Sequence, residues 1–198
     1  VLKLMEEYPE YRFMASQAQL YEFVKEDYPE LYERIKEAVK RGQWEIEGSA
    51  WVEPDTNVPS GESLVRQFLI GKRFFKQEFG VDTKIFWEPD VFGYSAVLPQ
   101  IIKKSDIDYF FTSKLSWNEF NRVPYDTFMW KGIDGTEILS HFLSSTPIDD
   151  SRNFFSDYNG FLDPRYIIGG WNRYANNAIT DNMMLIFLFN GFIQVLGL

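Results

Sequence analysis

Short apolar runs suited to strands alternate with stretches of helical periodicity along most of this chain, and that alternation limits the fold more than any other feature. Arg12 to Ala15 reads as a short strand. Leu31, Ile35, Ala38 and Val39 then recur at helical spacing, with Asp27 and Glu30 as a capping pair and Gly42 as the stop. Trp44 to Ile46 is strand-like and leads to Gly48, and Ser60 to Phe79 is a long helix ended by Gly80. Ile85 to Trp87 reads as a strand, Ser95 to Lys104 as a helix and Ile107 to Thr112 as a strand. Phe128 to Lys131 and Glu137 to Phe142 flank Ile133-Asp-Gly135, which is a hairpin signal. Pro164 to Asn176 has helical periodicity, and the apolar run from Met183 to Phe189 fits a buried terminal strand. Such a run is too short and too interrupted for a membrane span, which needs about 20 apolar residues. Alternating elements of this kind predict an α/β fold: a mainly parallel sheet with helices outside it.

In parallel α/β sheets the chemistry gathers at the C-terminal ends of the strands. Four polar or aromatic clusters fall at such ends: Trp51-Val-Glu-Pro-Asp55, Glu88-Pro-Asp90, Lys114-Leu-Ser-Trp-Asn118, and His141 with Ser144 to Thr146. The second lies within Phe86-Trp-Glu-Pro-Asp-Val-Phe-Gly-Tyr-Ser95. There Asp90 follows a strand, aromatic rings flank it (Trp87, Phe92, Tyr94), and Gly93 allows a sharp turn. A carboxylate at a strand mouth walled by rings suits sugar cleavage or metal holding. The same residue, following a proline, also suits a turn cap.

Composition removes other classes. A formal net charge of −9 argues against a nucleic-acid partner, which favours a basic face. The chain has no cysteine, so it has neither disulfides nor thiolate metal sites, and it suits the cytoplasm. Aromatic residues make up 18% of the 198 residues, enough apolar area for a real core. Glu53 and Asp55 read either as solvated loop acids or as groups that orient their neighbours. His141, the only histidine, reads as a hydrogen-bonded strand residue. Trp51, Trp117 and Trp130 read as packing, Glu88 as structural, and Arg66 as the partner of a nearby acid.

Several long segments, in this order, resemble the alpha-mannosidases of glycoside hydrolase family 38. They are Trp44-Glu-Ile-Glu-Gly48, Trp51-Val-Glu-Pro-Asp55, Ser60-Gly-Glu-Ser-Leu-Val-Arg-Gln67, Trp87-Glu-Pro-Asp-Val-Phe-Gly-Tyr-Ser95, Leu98-Pro-Gln100, Thr112-Ser-Lys-Leu-Ser-Trp-Asn118 and Phe128-Met-Trp-Lys-Gly-Ile-Asp-Gly135 followed by His141. The resemblance covers about residues 1–185, and 186–198 departs from it. It implies a single partial catalytic domain over 1–198, part of a seven-stranded (β/α) barrel of the glycoside hydrolase and deacetylase type, truncated at both ends. It further implies zinc-dependent, retaining removal of terminal alpha-linked mannose from oligosaccharides or glycans. Asp90 would be both nucleophile and zinc ligand, Phe92 would stack near the sugar and Lys114 would be a nearby cation.

The family's remaining zinc ligands and its acid/base aspartate have no counterpart in this chain. The resemblance therefore leads to the expectation that the isolated chain binds zinc weakly and hydrolyses little. A non-catalytic sugar-binding remnant and a decayed gene product are the alternatives. A carbohydrate deacetylase, which needs an Asp and two His on its metal, is disfavoured by the single histidine.

Overall fold

Residues 1–112 and 127–142 are described in full by the computed structural model of the protein, together with the backbone of 184–189 and 192–197. Three helical crossovers between parallel strands run through the described residues. Helix α1 (Leu2–Glu7) precedes β1 (Phe13–Ala15); α2 (Ala18–Asp27) and α3 (Pro29–Lys40) lead to β2 (Trp44–Ile46); and α4 (Gly61–Phe79) leads to β3 (Ile85–Glu88). After α5 (Leu98–Lys104) come β4 (Tyr109–Thr112), β5 (Thr127–Lys131) and β6 (Glu137–Phe142). Strands β7 (Met184–Phe189) and β8 (Phe192–Gly197) pair antiparallel, with Phe189 opposite Phe192.

The strands line up in nearly sequential order. β1 pairs parallel with β2, Phe13 opposite Trp44, and a parallel bridge from Gly48 to Phe86 carries the sheet on to β3. β3 pairs parallel with β4, Glu88 opposite Thr112, and β4 with β6, Thr112 opposite Phe142. β5 closes the far edge antiparallel to β6. The expected hairpin joins the last two: the Gly132 amide donates to the Thr136 carbonyl at 2.8 Å, and Gly135 takes the left-handed φ of +86°.

Helix α4 forms where its local signals place it. The Ser60 hydroxyl accepts from the Ser63 amide at its start, and Gly80, at φ +74°, ends it. Leu64, Phe68, Gly71 and Phe75 recur at helical spacing and face inward. Phe68 meets Phe86 of β3 edge to face at 4.7 Å, within a buried cluster that also holds Ala50, Leu98, Ile102, Ile107, Phe110 and Ile138. Gly71 has to be glycine, because a Cβ there would lie 2.4 Å from the Ala50 carbonyl carbon. Arg66 pairs with Glu62 one turn back, as its position in the sequence predicts.

On the opposite face an in-register row crosses β3, β4 and β6. Trp87 stacks on Phe111 at 4.0 Å, and Phe111 lies 5.8 Å from His141. His141 is hydrogen-bonded within the strand layer, its Nδ1 lying 2.9 Å from Thr127 Oγ1. Trp130 packs on Phe110.

Some expectations need correction. Asp27 and Glu30 do not cap α3. Asp27 closes α2, and α3 begins at Pro29 with Tyr28 in the capping position and no side-chain cap. Proline has the φ of a first helical residue and pushes the residue before it out of the helical region, so Pro29 sets the boundary. Helix α5 begins at Leu98, with Pro99 in its first turn and Val97 in the capping position, and not at Ser95. Strand pairing starts at Phe13 and Tyr109, not at Arg12 and Ile107. The helix expected over 164–176 lies outside the described residues.

Candidate active site

Because β1, β2, β3, β4 and β6 run parallel, their C-terminal ends share one edge. Glycine and serine set the spacing there. Gly48, at φ +119°, lies so close to β1 that a Cβ would sit 2.1 Å from the Ser16 carbonyl oxygen. Ser49 follows at φ +63°, its hydroxyl bonded to the Ile85 carbonyl at 2.9 Å. The chain then turns back over α4, with the Trp51 amide donating to the Gln67 carbonyl and the Val52 amide to the Gln67 side chain. Trp51 meets Phe74 edge-on and donates from Nε1 to Gln19 at 2.8 Å, so it packs as the sequence predicts.

Acidic side chains converge on this edge in different environments. Asp90, two residues past the end of β3, is exposed. Glu53 is largely buried and accepts from Ser16 Oγ at 2.9 Å. Burial pushes its pKa up to about 7, the charge of Asp90 adds to the rise, and the bonds from Ser16 and Gln17 oppose it. Glu88 is 0% exposed, and neither of its carboxylate oxygens has a hydrogen-bond partner. Burial first, and then the charges of Glu53 and Asp55, hold it well above the usual carboxylate range. A buried carboxylate without a partner favours its protonated form over its charged one, which is the cause of that rise. Asp55, the outermost, accepts from the amides of Asn57 and Val58, and those bonds lower its pKa. Asp90 is thus the acid on this edge that combines exposure with a position at a strand mouth.

Phe92 lies on the same turn as Asp90 and is 77% exposed. Lys114, Trp117 and the cluster from Ser144 to Thr146 lie outside the described residues. Glu53 orients a neighbour through Ser16 and is not a solvated loop acid. Among the described residues no three His, Asp or Glu side chains come together closely enough to hold a metal ion. The sequence reading passed over Ser16, Thr56 and Thr112, and gave Tyr94 no role beyond flanking Asp90. Tyr94 donates from its hydroxyl toward the Glu88 and Val91 carbonyls and is also bonded to Thr112 Oγ1. Isolated hydroxyls carry no local pattern, and only the fold brings Thr56 and Thr112 to the Asp90 turn and Ser16 to Glu53.

Residues 1–190 match the glycosyl hydrolases family 38 N-terminal domain. The chain is similar to Alpha-mannosidase G of Dictyostelium discoideum, at 56% identity over 153 residues, covering 77% of this chain and 14% of that protein. It is also similar to Alpha-mannosidase 2C1 of Homo sapiens, at 55% identity over 141 residues, covering 71% of this chain and 14% of that protein. The chain therefore spans about one-seventh of the length of these relatives. A solved structure of an alpha-mannosidase from Enterococcus faecalis V583 superposes with a TM-score of 0.66 at 23% identity, covering 89% of this chain and 19% of that one. That likeness speaks for the fold.

Proposed function

The chain belongs to glycosyl hydrolase family 38, and on that premise we propose that it carries the nucleophile of a retaining alpha-mannosidase acting on mannose-containing oligosaccharides or glycans. One observation carries the reading: an exposed carboxylate, Asp90, stands at the C-terminal edge of a parallel sheet beside the exposed ring of Phe92. In the proposed reaction an Asp90 oxygen attacks the anomeric carbon as the bond to the leaving oxygen breaks, and that oxygen takes a proton from solvent and departs as an alcohol, giving a glycosyl ester. Water then cleaves that ester with net retention, freeing the Asp90 carboxylate and returning a proton to solvent. Phe92 stacks on the apolar face of the sugar, and Lys114, outside the described residues, enters the proposal as a cation of the site on the family resemblance alone. Burial raises the pKa of both Glu88 and Glu53, which lowers the negative charge those two acids bring to this edge.

Zinc belongs to the proposal, with Asp90 as its ligand from this chain. When bound, the ion would hold sugar hydroxyls and stabilise developing charge. The described residues do not form a cage by themselves, so no step is routed through it. The near-sequential parallel order of the strands fits the wall of a seven-stranded barrel. A chain without cysteine fits a cytoplasmic setting, and among the described residues no helix is long and apolar enough to cross a membrane.

The test uses an activated 2-deoxy-2-fluoro-mannosyl fluoride, which traps the ester, with mass spectrometry of the peptides. A mannosyl adduct on Asp90, absent from Asp90→Asn, is the expected result. An adduct on another carboxylate, or hydrolysis of 4-nitrophenyl alpha-mannoside that survives Asp90→Asn, would overturn the assignment.

A further inference from the structure

Asp90 sits on a turn with little regular structure of its own, yet a nucleophile has to be held within a fraction of an ångström. Two hydroxyls fasten that turn from opposite sides. On the β4 side, Tyr94 reaches back to the Glu88 and Val91 carbonyls and to Thr112, while its ring packs edge-on against Phe110 at 4.9 Å. On the β2 side, Thr56 is 2% exposed, and its single hydroxyl both accepts and donates. It accepts from the Ser95 amide at 3.0 Å and donates to the Gly93 carbonyl at 3.3 Å.

The two loops also meet sterically. Gly93 has φ +135°, and a Cβ on it would stand 3.1 Å from the Asn57 side-chain nitrogen. Thr56 is itself firmly held. Pro54, two residues before it, is buried, and Asp55 closes a turn over Asn57 and Val58 just after it. A rigid loop from the end of β2 is thus joined, through one side-chain oxygen, to the turn that presents Asp90 and Phe92.

We propose that Thr56 is a positioning residue, tying the 51–59 loop to the 89–95 turn and so fixing Asp90 for attack on the sugar. The inference rests on the family-based reading of Asp90. Thr56 touches no reacting atom, and its contribution is geometric: without the tie, Ser95 and Gly93 lose a partner and the turn samples orientations in which the carboxylate is misdirected.

The experiment compares Thr56→Val, which keeps the shape and removes both hydrogen bonds, with Thr56→Ser, which keeps both. The isolated chain is expected to hydrolyse little, so the readout is the rate at which the 2-deoxy-2-fluoro-mannosyl ester forms on Asp90, followed by mass spectrometry; if no ester forms on Asp90 in the wild-type protein, it is the family-based reading which fails. Thr56→Val is expected to slow ester formation by about tenfold to a hundredfold. Amide exchange across residues 89–97 is expected to rise about five- to tenfold at the Ser95 amide. Thr56→Ser restores both to within about twofold of wild type. An unchanged rate of ester formation in Thr56→Val, or equal losses in the Val and Ser variants, would overturn the inference. If Thr56→Val unfolds, loss of ester formation or of Ser95 protection in Thr56→Ser would overturn it.

Discussion

Glu53→Gln offers the sharpest quantitative test of the charge arrangement at the sheet edge. In the native protein the Glu53 carboxyl is pushed from the ordinary value of 4.5 to about 7 by burial and by the charge of Asp90. In the unfolded chain it titrates near its ordinary value. Between these two values the native state holds a proton that the unfolded state has released, so stability falls as pH rises from 4.5 to 7 and levels off above that. At about 1.4 kcal/mol per pH unit, the total loss is at most about 3.5 kcal/mol. Glutamine cannot titrate, and its carbonyl oxygen can still accept from Ser16.

The variant is therefore expected to match wild type near pH 4.5 and to exceed it by about 3 kcal/mol at pH 8. With a urea dependence of about 2 kcal/mol per M, the midpoint at pH 8 moves up by about 1.5 M. Urea melts of both proteins at the two pH values supply the assay, and the difference between variant and wild type cancels the titration of all other groups. Repeating the pair in an Asp90→Asn background should shrink the effect, because one cause of the shift is gone. A variant-to-wild-type difference that is the same at pH 4.5 and pH 8 would refute the reasoning: Glu53 would then titrate alike folded and unfolded.

Two further outcomes follow from packing. Gly48→Ala would place a methyl 2.1 Å from the Ser16 carbonyl oxygen at a φ of +119°; a loss of about 3 kcal/mol or more is expected, read as a fall in melting temperature, and near-native stability would show that the β1 and β2 ends do not touch. Phe68→Ala removes a fully buried ring from the interface between α4 and Phe86; thermal or urea melts should report about 3–5 kcal/mol, and a cost under about 1 kcal/mol would contradict the position of the helix on the sheet.

Elements whose signals are local were legible from the sequence. Ser60 and Gly80 bracket α4 because a capping hydroxyl and a left-handed glycine act on the backbone within one turn. Ile133-Asp-Gly135 marks the β5–β6 hairpin for the same reason, and Asp90 falls at a strand mouth because the apolar run before it is short and closed by proline. Helices α1 and α2 were not read. α1 is short, and α2 has no side-chain cap and a broken apolar stripe, so packing against neighbours rather than local preference holds them.

The chemistry of the edge divides along the same line. The sequence by itself, through the resemblance of its motifs to the family, singled out Asp90 as the nucleophile candidate, and the strand pattern put that residue at one edge of the sheet, since a two-residue extension past β3 requires nothing distant. Only the tertiary structure decided that Glu88 is sealed and its pKa raised, that the pKa of Glu53 is pushed up to about 7, and that Thr56 and Tyr94 clasp the Asp90 turn. Burial and through-space charge depend on residues dozens of positions apart, and no short window of sequence records that distance.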